Sequence, residues 1–224
     1  MHPLIPHTRT EITAEDEAAV LSALRGRVLV EADHVRNLEN WFTEQFGGAG
    51  AVATGSCSQA LVVALKACGV GPGHDVILPS YVCAQVLAAV EHVGARGVTV
   101  DVAGDWMIDK GAVRDALPSQ TRAIITAQMF GMFRDMSDLR SFGVPVIEDC
   151  AQTFPDWQNP AHRLSGDIVV FSFEATKPVA GGEGGMVLVR TTELMAGVRA
   201  QKQFRETPYR ANFYPLGNAT AALV

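Results

Sequence analysis

A lysine and an aspartate each stand at the end of an apolar run in this 224-residue chain. Lys177 closes the segment FSFEATK at 171–177, and Asp149 lies near the end of the run 145–150. Short apolar runs rich in Val and Ile predict buried strands, and ligands bind where the carboxyl ends of parallel strands meet. We therefore expect an amine nucleophile and a carboxylate at one edge of a sheet.

A phosphate site is predicted at the end of the first apolar run. Residues 51–54 lead through Gly55 and Ser56 directly into a helical pattern, and a helix N-terminus offers free backbone N–H groups and the positive end of the helix dipole. A glycine loop at 181–185 follows Lys177. These features suit pyridoxal phosphate, because Lys177 would form a Schiff base and Asp149 would keep the ring nitrogen protonated.

Two other classes of phosphate-binding protein are excluded because their sequence motifs are absent. A dinucleotide fold would place G-x-G-x-x-G after the first strand and an acidic residue after the second, but Gly55 lacks partner glycines and the second run ends Leu78-Pro79-Ser80. The chain also lacks a G-x-x-x-x-G-K-[ST] loop for a nucleoside triphosphate.

Composition excludes further partners. The 18 basic and 24 acidic side chains give a net charge of −6, so neither a nucleic acid nor an anionic membrane is expected to bind. Residues 1–10 do not read as a secretory signal, and the sequence has no run of 18 apolar residues. The four cysteines lie far apart, which indicates reduced thiols and a cytoplasmic location.

The elements that must position the site alternate along the chain. Helical patterns begin at Thr13 and near His34. Seven strands are then predicted at 51–54, 76–79, 97–102, 123–128, 145–150, 168–173 and 186–189, with helices at 58–68, 81–93 and 109–116 between them. This alternation predicts a three-layer α/β/α fold with a mostly parallel seven-stranded sheet. The short loop 174–185 leaves little room for a crossover helix, which allows an antiparallel seventh strand.

The motifs together resemble those of the DegT/StrS-like sugar aminotransferases, which belong to the fold-type I pyridoxal phosphate enzymes. The likeness runs from about residue 10 to the last residue and is carried by four segments: 60–73, 78–80, 148–152 and 172–185. The resemblance implies the large, cofactor-binding domain of that fold, with pyridoxal phosphate as cofactor.

The resemblance also implies roles around the cofactor ring. Lys177 would be the catalytic Schiff-base lysine and would shuttle protons, Asp149 would pair with the ring nitrogen, and Gln152 would bond the phenolic oxygen. Cys83 stands where the family has an aromatic residue stacked on the ring. Residues 25–33 lack the aromatic loop that meets the substrate in this family, which leaves the substrate class open.

A second set of residues would hold the phosphate, according to the same resemblance. Ser172, the backbone and side chain of Ser58, and the backbone of Gln59 would bind it within one subunit. Asn212 would reach the phosphate in the other subunit of a homodimer, so that the dimer completes each site.

The resemblance divides the chain into three parts. Residues 1–50 would form an N-terminal helical segment, 51–210 the cofactor-binding domain, and 211–224 the start of a connection to a small C-terminal domain. Because relatives continue into that domain, the expectation is a large domain from which the small domain is absent.

The leading functional hypothesis is an aminotransferase that moves an amino group from Glu or Gln to a keto sugar nucleotide. A lysine at position 177 argues against the dehydratase branch of the family. One alternative is an incomplete or non-catalytic cofactor-binding subunit, or a truncated fragment, that needs a partner chain. Another is different fold-type I chemistry on an amino acid.

Overall fold

A computed structural model describes residues 8–26 and 33–203 of the chain. It confirms a seven-stranded sheet covered by helices on both faces. Asn212 and the segment 211–224 lie outside the described residues, so their predicted roles stay predictions. Among the described residues, no helix combines the length and apolar character needed to cross a membrane.

The seven predicted strands are confirmed with small shifts at their ends. Every residue of β2, β5, β6 and β7 is buried, as expected when helices cover both faces. The strands are β1 Gly50–Thr54, β2 Asp75–Pro79, β3 Arg96–Val100, β4 Thr121–Ala127, β5 Val146–Asp149, β6 Ile168–Ser172 and β7 Gly185–Val189.

The helices also match the predicted pattern, and one was not predicted. The helix expected at 81–93 begins only at its fourth position, because residues 80–83 bend away from β2. The sequence reading missed α6. The helices are α1 Ala14–Arg25, α2 Asp33–Phe46, α3 Cys57–Ala67, α4 Ala84–His92, α5 Lys110–Ala116 and α6 Thr192–Gln203, with a 3-10 helix at Ser137–Phe142.

The strand order is β1-β7-β6-β5-β4-β2-β3, and β7 runs antiparallel to both of its neighbours. It pairs with β1 on one side and with β6 on the other. The other six strands therefore point the same way, and their carboxyl ends lie along one edge of the sheet. We refer to it below as the carboxyl edge.

The core lies on both faces of the sheet. Helices α3, α4 and α6 cover one face with residues such as Leu61, Val86 and Val198. On the other face, α5 and the 3-10 helix pack over β2 and β4, and Phe42 of α2 packs against Phe171. The sheet is therefore packed between helices on both of its faces.

Helix α1 begins as the sequence predicted. The Thr13 hydroxyl accepts a hydrogen bond from the Asp16 N–H, and the Asp16 carboxylate accepts one from the Thr13 N–H, at 3.2 and 2.8 Å. This reciprocal pair is a capping box. The hydrogen bonds that the Thr13 N–H and hydroxyl donate to the Asp16 carboxylate lower the pKa of Asp16. The helix buries none of its own residues.

Candidate functional site

A cavity of about 260 Å³ opens at the carboxyl edge. Its wall is built from segments that follow β1, β2, β4, β5 and β6, and from the residues just before β7. Six of the predicted site residues line it: Ser58, Cys83, Asp149, Gln152, Ser172 and Lys177. The structure therefore brings together side chains that are far apart in sequence.

The N-terminus of α3 forms one wall. Ser56 has an extended backbone and caps the helix, because its hydroxyl accepts a 3.2 Å hydrogen bond from the Gln59 N–H. Ser58, in the first turn, lines the cavity, whereas Gln59 lies outside it. The Oε1 atom of Gln59 accepts a 3.1 Å hydrogen bond from the Gly55 N–H. The first turn thus offers the cavity a serine hydroxyl and the positive end of a helix dipole.

Gly185 lets this helix end approach the sheet. The residue pairs with Thr54 of β1 on one side and with Ser172 of β6 on the other. A Cβ at this position would lie 2.7 Å from the Cys57 nitrogen and from the Ser56 carbonyl. A side chain would therefore push α3 away from Ser172, which lies on the same cavity wall as the helix end.

Asp149 ends β5 and is 5% exposed. Its Oδ1 accepts a 2.8 Å hydrogen bond from the Ala151 N–H. Burial raises its pKa to about 6, although the Ala151 hydrogen bond and the positive charge of Lys177 oppose that rise. A cationic partner beside this buried carboxyl group would stabilise its ionised form.

Lys177 stands in a turn that follows β6. Its backbone N–H donates a 2.9 Å hydrogen bond to the Glu174 carbonyl, and the Glu174 carboxylate accepts hydrogen bonds from the N–H and hydroxyl of Thr176. These bonds close the turn, and the half-buried Lys177 side chain lines the cavity.

Two predicted residues lie at the mouth of the cavity. Cys83 is exposed and is the residue before α4, without a side-chain capping bond. Gln152 is also exposed. Both line the cavity wall, so each side chain is available to a bound molecule.

The cavity also has lining residues that the sequence reading missed. Gln128 follows β4, and Glu183 lies in the glycine loop before β7. Gln128 carried the same signal as Asp149, since it comes directly after a buried strand. Cys57 lines the wall as well, and burial, with a smaller contribution from the Asp149 charge, raises the pKa of its thiol. That thiol is therefore protonated at neutral pH.

Glu148 points to the other side of β5 from Asp149 and is fully buried. Its carboxylate accepts hydrogen bonds from the Ser165 and Gly166 N–H groups, each at 2.7 Å, and from the Gln128 side chain at 2.8 Å. This buried network joins the ends of β4 and β5 to the loop before β6.

A family model for the DegT/DnrJ/EryC1/StrS aminotransferases matches residues 10–212. The chain belongs to this family. Pyridoxal phosphate is the cofactor of the DegT/DnrJ/EryC1/StrS aminotransferases, and the family's large domain explains the three-layer fold and the position of the cavity.

Three solved structures illustrate the likeness. The chain is 27% identical to 3-amino-5-hydroxybenzoic acid synthase, covering 91% of this chain at a TM-score of 0.79. It is 28% identical to DesV of S. venezuelae, solved with a ketimine intermediate, covering 89% at 0.73. A Streptococcus pneumoniae protein assigned as a sugar aminotransferase, in its PLP form, shows the same fold at 24% identity, 89% coverage and 0.77. The chain spans 56% of the length of each of these three proteins.

Proposed function

We propose that this chain forms the cofactor-binding part of a pyridoxal phosphate-dependent aminotransferase. The observation that carries the proposal is the single cavity shared by Lys177, Asp149, Ser172 and Ser58. These residues fit the cofactor. Ser58 at the N-terminus of α3, together with Ser172 at the end of β6, suits a phosphate, and the buried Asp149 carboxylate suits a protonated ring nitrogen.

Pyridoxal phosphate supplies an aldehyde that condenses with amines and a ring that withdraws electrons. In the proposed mechanism, the Lys177 Nζ holds the cofactor and carries protons to and from the reacting carbon. The Asp149 carboxylate keeps the proton on the ring nitrogen. Gln152 would bond the phenolic oxygen, and Cys83 would provide a thiol against the ring where the family has an aromatic side chain.

The phosphate is held, in this proposal, by Ser58 and Ser172 together with backbone N–H groups. The Gln59 N–H already donates to Ser56, so its share in phosphate binding requires a bifurcated bond or a rotation of the Ser56 hydroxyl. We further propose that Asn212 reaches the phosphate bound by the other subunit of a homodimer.

The proposed amino acceptor is a keto sugar nucleotide, and the proposed donor is Glu or Gln. The family match and the sugar aminotransferase among the structural neighbours support the acceptor class. The proposal keeps the division into 1–50, 51–210 and 211–224. It also includes a cytoplasmic location, which the free thiols of Cys57, Cys68, Cys83 and Cys150 support because thiols stay reduced there.

The visible absorption spectrum of the purified chain with added pyridoxal phosphate tests the proposal. We expect a Schiff-base band in the wild type and in Lys66→Ala, a control that removes an exposed lysine of α3. The band should be absent in Lys177→Ala. Borohydride reduction and mass analysis should then place the adduct on Lys177.

Amine transfer to keto sugar nucleotides from Glu or Gln is measured next on the same protein. An adduct on Lys66 or Lys110, or no adduct, would overturn the assignment of the site. An adduct on Lys177 without any amine transfer would leave a cofactor-binding subunit and reject the aminotransferase.

A further inference from the structure

Three exposed aromatic side chains meet beside the cavity. The Tyr81 ring centroid lies 5.0 Å from that of Trp106 and 6.2 Å from that of Phe130, and the Trp106 and Phe130 centroids are 6.3 Å apart. The three residues are 46%, 49% and 58% exposed. We call this group the aromatic surface.

Two of these residues, Trp106 and Phe130, have a positive φ, which is an unfavourable backbone conformation for a large side chain. Phe130 has a φ of 57° and precedes Gly131 at 74° in a turn closed by a 2.9 Å hydrogen bond from the Met132 N–H to the Met129 carbonyl. Turns with positive φ at both central residues favour Asn followed by Gly. Phe130 therefore occupies a turn position at which Asn is more favourable than Phe.

Trp106 repeats this feature in a separate loop. Its φ is 65°, and its N–H donates a 3.0 Å hydrogen bond to the Ala103 carbonyl. Left-handed backbone is rare for bulky residues and clusters at functional sites. Two separate loops thus carry an aromatic residue with a strained backbone, and both aromatic rings lie next to the ring of Tyr81.

Two residues of the aromatic surface are sequence neighbours of residues that line the cavity. Tyr81 directly precedes Val82 and Cys83, which line the cavity, and Phe130 directly follows Met129, which also lines it. A sugar nucleotide with its reacting carbon near Lys177 would be too long for a cavity of about 260 Å³, and a part of it that left the cavity past Cys83 and Met129 would meet these rings.

We propose that Tyr81, Trp106 and Phe130 form a stacking surface for the nucleobase of the amino acceptor. This inference rests on the proposed function, because it assigns the part of a keto sugar nucleotide that stays outside the cavity. Every nucleobase presents a flat π face, and base–aromatic stacking tolerates different bases. The three side chains are uncharged, so they select the base and not the phosphates.

Calorimetric titration of the full chain with uridine 5′-monophosphate and thymidine 5′-monophosphate tests the inference, with ribose 5-phosphate as the ligand that lacks a base. The variants are Trp106→Gly and Phe130→Asn, which remove a ring and suit the positive φ. We expect each variant to weaken nucleotide binding about 5- to 150-fold. Leu117→Ala, which truncates an exposed apolar residue elsewhere, should bind both nucleotides as the wild type does.

Several outcomes would overturn the inference. They are no nucleotide binding by the wild type, equal binding of ribose 5-phosphate, unchanged binding by both variants, or binding of 3-hydroxybenzoate in place of the nucleotides. A change of mass in solution in both variants, without a change in nucleotide binding, would assign the aromatic surface to a contact between copies. The Schiff-base band is recorded on the same samples with added pyridoxal phosphate. If the wild type shows no band but binds the nucleotides, the proposed function is rejected and the nucleobase surface is not.

Discussion

The side-chain amide of Gln128, a residue of the cavity wall, donates a 2.8 Å hydrogen bond to the carboxylate of Glu148, and both residues are fully buried. The same amide nitrogen donates to the Arg134 carbonyl, and its oxygen accepts from the Arg134 N–H, at 2.8 and 3.1 Å. Since Glu148 immediately precedes Asp149, this buried pair fixes the backbone that carries the cavity's carboxylate.

Glu148→Gln should destabilise the protein by about 2 kcal/mol or more, because an amide NH₂ would face backbone donors that now meet a carboxylate oxygen. The donors are the N–H groups of Ser165 and Gly166. Glu91→Gln, on the exposed surface of α4, makes the same chemical change without burial and should shift stability by less than about 0.5 kcal/mol. Urea unfolding of both variants checks this, and equal stabilities would contradict the role assigned to the network.

Asp149→Asn should change how the stability of the cofactor-free protein depends on pH. Burial raises the Asp149 pKa to about 6 from 3.8, so between these values the folded protein holds a proton that the unfolded chain has lost. The free energy of unfolding therefore falls as pH rises from about 4 to about 6, by roughly 3 kcal/mol for this group. The variant should lack that fall.

Denaturant unfolding at several values from pH 4 to pH 8 measures this difference. Relative to the wild type, Asp149→Asn should gain stability as pH rises through the window and keep that gain above it. Asp115→Asn, which removes an exposed carboxylate of α5, should follow the wild-type profile. A constant difference between Asp149→Asn and the wild type at all pH values would refute the assignment of this titration to Asp149.

Gly185→Ala should impair both stability and cofactor binding, since the added methyl would meet backbone atoms at 2.7 Å. Backbone shifts of this kind cost about 1–3 kcal/mol, and they would move the α3 N-terminus away from Ser172. Gly71→Ala is the matched control, because its Cβ would meet its nearest neighbour, the Val93 carbonyl oxygen, at 4.0 Å. Thermal unfolding and cofactor titration compare the two, and similar results would exclude the close approach as a requirement.

Ser58→Ala and Ser172→Ala should each weaken pyridoxal phosphate binding about tenfold or more, because a hydrogen bond to a charged group is worth about 1.5–3 kcal/mol. Binding of pyridoxal, which lacks the phosphate, should stay at the wild-type level. Titration of the visible band gives both affinities, with Ser119→Ala as an exposed control. Equal losses for the two ligands would show that these serines do not act on the phosphate.

Much of the fold followed from the sequence because covered parallel strands need continuous apolar runs. The run 168–173 predicted β6 at Ile168–Ser172, and the direct passage from strand to helix predicted the start of α3. The position of Lys177 and Asp149 at the carboxyl edge was predictable for the same reason, since strand ends are visible in the sequence and the carboxyl edge follows from the topology.

Other features depended on contacts between distant segments and could not be read locally. The apolar positions of α6 stand among polar residues, and its burial of Val198 against α3 and the sheet is a tertiary effect. The pairing of Gln128 with Glu148 needs β4 beside β5. Trp106 and Phe130 break local turn preferences, so sequence rules argue against the conformations that they adopt.

The pairing of β1 with a strand so late in the chain delays completion of the sheet during folding. Among the described strands, β1 pairs with β7 alone, and the other five strands lie between these two in the sequence. During synthesis on a ribosome, β1 therefore waits for a partner until β7 has been made, and a pairing of such high contact order is slow to form. The N-terminus of α3, which we propose binds the phosphate, directly follows β1 and packs against Gly185 of β7, so we expect the cofactor to bind only after β7 has paired.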